Sequence, residues 1–314
     1  MSELPYERSA DPVHAPRTRF DVGTVRIDRV VESEMPLLDP LELFGDATSA
    51  AIASQMDWLA PRFYDEVSKL LVVPIQGFVV RARDKVLVVD TCVGDCKERK
   101  RPEFRCQRRD WLGAVQALGV APESVDYVIC THFHVDHVGW NTRLEDGRWV
   151  PTFPNARYLF TREEWDYWSA PAAALAMQRT GDYIGDSVLP IVQAGLADFV
   201  ALDHQVLPEI RFIPAAGHTP GFVCVDVRCG TDRLVLAGDL LHSPLQCVFP
   251  QWSTRFCADP QASARTRMRL LSQWADARTV IMPTHFPSPS AGVVERRHGA
   301  FFFRYTEDAP SRSR

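Results

Sequence analysis

Residues 131–140 read Thr-His-Phe-His-Val-Asp-His-Val-Gly-Trp, which sets His132, His134, Asp136 and His137 within six positions. The segment just before it, Ser124 to Cys130, is rich in Val, Ile and Tyr and reads as a buried strand that delivers this cluster at its end. A borderline-soft divalent ion such as Zn²⁺ takes imidazole nitrogens and carboxylate oxygens. Ligands at i, i+2, i+4 and i+5 of one loop can be directed to two adjacent centres. A solvated turn has no comparable use for three imidazoles and a carboxylate so closely set.

Further candidate ligands stand at the ends of apolar strands downstream: His218 in AAGHTPG, Asp239 in LAGDLL and His285 in MPTHFP. A side chain at a strand end is aimed by the sheet behind it, and the neighbouring Gly lets backbone pass close by. Taken singly, each His also fits an ordinary hydrogen-bonded position; as a set with the cluster they point to one centre. Asp90, which closes VLVVD, reads as a carboxylate supporting the cluster through a ligand His rather than as a ligand itself.

Composition limits the alternatives. The chain has 314 residues, 46% hydrophobic and 24% charged, with a net charge of −5, so it is neither disordered nor a small disulfide scaffold. No apolar run approaches the ~18 residues of a membrane span, and the basic stretch Lys97 to Arg109 is short, so neither a membrane nor a nucleic acid is the expected partner. The eight cysteines form no C-x-x-C pair, and most lie in apolar surroundings. With no apolar signal stretch in Met1 to Arg19, they are expected to be reduced thiols in a cytoplasmic protein.

Residues 1–19 are polar, Pro-containing and aperiodic, and are expected to form a poorly ordered arm. Residues 20–314 follow as one domain, with strands at FDVGTVRIDRVVE, KLLVVPIQGFVVRA, KVLVVDTCVG, EIRFIPAAGHT, GFVCVDVRC, RLVLAGDLL and TVIMPTH. Helices are expected around Thr48 to Leu59, over Asp110 to Leu118 with Gly119 as the stop, and over Pro260 to Trp274. Residues 161–197 turn to Ala, Trp, Gln and Glu at helical spacing, opening on a capping box of Thr161 and Glu164, and read as a helical excursion from the sheet. Strand blocks alternating with helices, twice over, suggest a layered α/β sandwich.

The H-x-H-x-D-H run, followed by His218, Asp239 and His285, resembles the signature of the metallo-β-lactamase-fold hydrolase superfamily. The resemblance spans Phe20 to His298, and all seven metal positions are filled. It implies a four-layer αββα sandwich with the site along one edge where the sheets meet. It also implies two divalent ions, Zn²⁺ or else Fe, Mn or Co. His132, His134 and His218 would hold one, Asp136, His137 and His285 the other, and Asp239 would bridge them.

Within that superfamily the chain is most similar to the lactonase and methyl-parathion-hydrolase-like group, on GHTPG, GD and TH. Its GDLLH run places His242 where many lactonases carry Tyr. The implied activity is a dinuclear hydrolase in which a metal-bridging hydroxide opens a lactone or cleaves another carboxylic ester of a small apolar substrate. Asp136 or Asp239 would move the proton, and His242 would contact the substrate oxygen or support Asp239. The alternatives are a phosphotriester hydrolase and, further off, a hydrolytic dehalogenase, a nuclease or a non-catalytic metal-binding module. The resemblance alone, with no sequence feature beside it, leaves a homodimer open as the assembly. Trp140, Trp168, Phe222 and Trp252, near the motifs or within the excursion, are candidates for the substrate pocket, though each also fits a core position.

Overall fold

A computed structural model describes residues 18–171, 173 and 177–308 of the chain. The arm expected over 1–19 falls outside this range up to residue 17. Arg19 is already in the first strand, and the Thr18 carbonyl accepts from the Arg29 amide. The stretch FDVGTVRIDRVVE is a hairpin rather than one strand, because the chain turns at Gly23 between Arg19–Val22 and Val25–Leu38.

Two sheets stack face to face. The first has eight strands, and Lys85–Val89, Tyr127–Ile129, Arg157–Thr161 and Ala197–Val200 run parallel within it. The second has seven, including the parallel pair Asp232–Gly238 and Thr279–Pro283. Side chains alternate across each strand, and both faces are apolar here, so each sheet is covered twice. In the first sheet Phe78, Val80, Leu87, Val89 and Ile129 face the inter-sheet core, while Val79, Val88 and Val128 pack outward with Trp111 and Val115 of the helix Trp111–Ala117. In the second, Val223, Val225, Leu234, Leu236 and Met282 face inward, and Cys224, Val235, Ala237 and Ile281 pack outward.

Pro260–Trp274 covers that outer face. Its buried residues Ser263, Arg267, Leu270, Leu271 and Trp274 follow the helical period, and Asp259 caps its start by accepting from the Ala262 amide. The result is the four-layer αββα sandwich expected from sequence. The helix expected around 48–59 is two short ones, Ser49–Ala53 and Met56–Leu59. No helix among the described residues is long and apolar enough to cross a membrane.

The parallel strands determine where chemistry can gather. Their carboxyl ends lie on the same edge, so the loops that follow them converge there. Asp90, the 131–137 loop, Glu164, Asp239 and His285 all come directly after such strands.

Candidate metal centre

The seven predicted ligands meet in one cluster. Donor atoms of His132, His134, His218 and Asp239 lie within 4.8 Å of one another, as do those of Asp136, His137 and His285, and those of Asp239, His242 and His285. Asp239 stands between the groups. Its Oδ1 is 3.1 Å from His137 Nε2 and 3.2 Å from His285 Nε2, while its Oδ2 is 3.1 Å from His218 Nε2 and 3.7 Å from His132 Nε2. His285 Nε2 is also 3.3 Å from Oδ2, so Oδ1 faces His137, Oδ2 faces His132 and His218, and His285 lies against both. Asp136 sits further out, 3.9 Å from His137 Nε2 and 3.7 Å from His285 Nε2, with part of its side chain exposed.

Four of the imidazoles are oriented from behind, while His134 Nδ1 lies 2.9 Å from His218 Nε2 within the cluster. The nitrogen of His137 that faces away from the cluster lies 2.9 Å from Asp90, whose carboxylate also accepts from the Thr131 amide and hydroxyl. His285 Nδ1 lies 3.0 Å from the Pro74 carbonyl, His132 Nδ1 3.2 Å from the Thr131 hydroxyl, and His218 Nδ1 3.5 Å from Cys257 Sγ. Asp90 therefore holds the supporting place that its position suggested.

The loops are fixed with similar economy. Thr91 donates its amide to the His137 carbonyl, and the Gly139 and Trp140 amides bond back to Cys92 and Thr91. A Cβ on Gly139 would fall 1.8 Å from the Val93 carbonyl, so only glycine allows this approach. At Gly217, φ is +134° and a Cβ would lie 2.2 Å from the Ser263 amide nitrogen, which seats the His218 loop on the start of the last long helix.

Three residues support the site in ways that the sequence did not signal. Glu164 does not close a capping box. Thr161 instead donates its hydroxyl to the Gly221 carbonyl, and the buried Glu164 carboxylate accepts from the Phe133 amide at 2.8 Å, the Gly221 amide at 2.9 Å and the Trp168 indole at 2.6 Å. It ties the His132–His134 loop to the His218 loop. Glu32, buried in the strand Val25–Leu38, accepts from the amides of Val93 and Gly94 and from the Trp140 indole, all at 3.0 Å. Arg267, wholly buried on the last long helix, donates to the carbonyls of Leu240, Pro250 and Trp252 and so anchors the chain after Asp239.

Electrostatics divide the imidazoles. Burial drives His132 and His134 well below the ordinary histidine range, leaving them neutral with lone pairs to offer. Burial also opposes charge on His137, His218 and His285, but the facing carboxylates, Asp239 foremost, more than offset it and raise all three. His132 Nε2, His137 Nε2 and Asp239 Oδ1 are buried without a hydrogen bond although they crowd together. Buried polar atoms that converge on a common space rather than on each other are those a shared cation would satisfy. An imidazole and carboxylate donor set of this size fits a pair of divalent ions.

The cluster opens into a cleft of about 910 Å³. His242 lines it with Nε2 3.1 Å from Asp239 Oδ2, and burial holds its pKa down to about 4. Trp168 also lines it, with its ring 5.7 Å from that of His134. The other three aromatic candidates do not. Trp140 is buried between Trp111 and Glu32, and Trp252 stacks on Phe249 in the outer core of the second sheet. Phe222 packs beneath the metal cluster against His132 and His218. Their indoles and ring were better used as packing than as cleft wall. The remaining wall comes from Tyr167 and Tyr183 in the excursion, Leu37 and Ile75 in the first sheet, and Phe256 before the last long helix. All eight cysteines are free, and Cys257 lies at the site.

Residues 71–285 match the family model of the Metallo-beta-lactamase superfamily. Among curated relatives, N-acyl homoserine lactonase AiiB of Agrobacterium fabrum is 22% identical over 229 residues, 67% of this chain and 70% of its own. An N-acyl homoserine lactonase of a Bacillus species is 26% identical over 110 residues, 35% of this chain and 36% of that protein. The chain thus spans little more than a third of that Bacillus relative's length. Among solved structures, the hydrolase AbOPH of the beta lactamase superfamily superposes with a TM-score of 0.77 at 22% identity, covering 93% of this chain and 97% of that one. AidC, a dizinc quorum-quenching lactonase, gives 0.75 at 20% identity, covering 91% and 96%.

Proposed function

The chain belongs to the metallo-beta-lactamase superfamily, and on that footing we propose that it is a dinuclear metal-dependent hydrolase that opens a lactone or cleaves another carboxylic ester. The observation that carries the reading is the placement of Asp239, one oxygen toward His137, the other toward His132 and His218, and His285 against both, in the lining of a cleft. His132, His134 and His218 would hold one ion, Asp136, His137 and His285 the second, and Asp239 both. When bound, two Zn²⁺ ions would supply a water acidified towards neutral pH and Lewis-acid stabilisation of developing negative charge.

The chain's own groups do the rest. Asp136, the more exposed of the two carboxylates, is placed to take a proton and return it to the leaving oxygen. His242 borders the cleft with neither ring nitrogen in a hydrogen bond, and as a neutral imidazole it can donate its single N–H to a substrate oxygen. Trp168, Ile75 and Leu37 give the cleft an apolar flank that excludes water and suits a hydrocarbon or aromatic substrate body. His242 at this position also favours a second reading, phosphotriester hydrolysis, because an imidazole donor serves a phosphoryl oxygen as well as a carbonyl.

A panel of lactones, aryl esters and aryl phosphotriesters, run on zinc-loaded protein, ranks the two. We expect a lactone or ester to reach kcat/KM of about 10⁴ M⁻¹s⁻¹ or more, and His132→Ala to abolish that turnover while the fold is kept. Undiminished turnover in His132→Ala would reject the site.

A further inference from the structure

One wall of the cleft has a polar lining that the hydrolytic reading does not use. The turn at residues 177–183 of the helical excursion is laced to the basic stretch: the Lys100 amide donates to the Thr180 carbonyl, and the Lys100 ammonium to the Gln178 carbonyl at 2.9 Å. That basic stretch is largely spent internally. Lys97 and Arg99 are buried against Asp186, Arg105 pairs with Glu98, and Arg101, at the cleft, pairs with Glu103.

What the wall leaves facing the cleft is Arg179, Thr180 and Tyr183. Arg179 has no acidic partner among the described residues. The Thr180 hydroxyl is buried without a hydrogen bond. Tyr183 is 2% exposed, with its ring 5.7 Å from that of Trp168, and its hydroxyl bonds to none of the described residues. The buried Thr180 hydroxyl, the Tyr183 hydroxyl and the Arg179 guanidinium lie within five residues of one turn and line the same cleft, with hydrogen-bonding capacity to spare. An anionic acceptor would satisfy all three, since a planar guanidinium recognises a carboxylate better than a neutral carbonyl.

We infer that Arg179, Thr180 and Tyr183 form a subsite for a carboxylate on the substrate, remote from the bond that is cleaved. The preferred substrate class is then an ester or lactone whose apolar body ends in an acid. This rests on the hydrolytic reading for the reacting end and on the excursion wall alone for the distal end.

The test compares 4-nitrophenyl hexanoate with mono-4-nitrophenyl adipate, which differ in the terminal carboxylate. Wild-type protein should favour the adipate by about tenfold in kcat/KM, the scale of one charge-assisted hydrogen bond, chiefly through a lower KM. Arg179→Gln should bring the ratio close to one, and Tyr183→Phe should lower it partway. A wild-type ratio near one, or a preference that survives Arg179→Gln, overturns the subsite. If neither ester is turned over, the aryl-ester arm of the hydrolytic reading fails, and calorimetry on the zinc-loaded protein then decides the subsite: adipate should bind about tenfold tighter than hexanoate, and Arg179→Gln should remove the difference. Equal binding of the two acids by wild type overturns it.

Discussion

The two halves of the chain supply the metal cluster in different ways. The first half gives four ligands from one loop and braces that loop with three buried carboxylates: Asp90 behind His137, Glu164 on the Phe133 amide and Glu32 beneath Val93, Gly94 and Trp140. The second half gives three ligands singly, each at the end of its own strand. Their supports are a main-chain carbonyl for His285, a cysteine sulfur for His218 and carbonyl contacts from Arg267 around Asp239. A flexible loop with four ligands needs charged acceptors to fix it, whereas a ligand at a strand end has been aimed by the sheet before any side chain helps.

Removing one brace from each half tests that contrast. Asp90→Asn takes a charged acceptor from His137 and loosens Thr131, and zinc affinity measured by chelator competition should fall by about 10 to 100-fold. Cys257→Ala removes only a weak sulfur partner from His218, and a loss of a few fold is expected, with Cys257→Ser restoring most of it. Equal losses in the two variants would break the contrast.

A third effect concerns stability rather than metal affinity. Burial pushes Glu32 from its ordinary 4.5 to about 7, although the Val93 and Gly94 amides and the Trp140 indole pull it back. Between those values the folded chain holds more protons than the unfolded one, so the contribution of Glu32 is complete below 4.5 and is lost as pH rises through 7. Wild type should therefore lose thermal stability relative to Glu32→Gln as pH is raised from about 5 to about 8. A constant difference in Tm across that range would show that the braced loop does not titrate as described.

The contrast between halves also explains what could be read from sequence. H-x-H-x-D-H is visible because its ligands share a loop, and Asp90 because it closes an obvious strand. His218, Asp239 and His285 were legible as strand ends, although their convergence depends on parallel strands that bring distant termini to one edge. Glu32 and Glu164 were not legible as braces. A lone carboxylate in a strand or a first helical turn looks exposed until the fold buries it, and Glu164 matched a capping box that Thr161 does not make. Aromatic residues were the hardest to place. Neither the neighbours of Trp168 nor those of Trp252 say which way the ring turns, and tertiary packing sends one to the cleft and the other into the core.

Asp239 is the one residue that serves both sets of imidazoles, so its removal tests the account most directly. Chelator-stripped wild type and Asp239→Ala, reloaded with the same free zinc and checked for folding by near-UV circular dichroism, should be analysed for metal per chain. Two zinc ions are expected in wild type and fewer than one in the folded variant. Saturation of wild type at a single ion, or retention of two by Asp239→Ala, would contradict this.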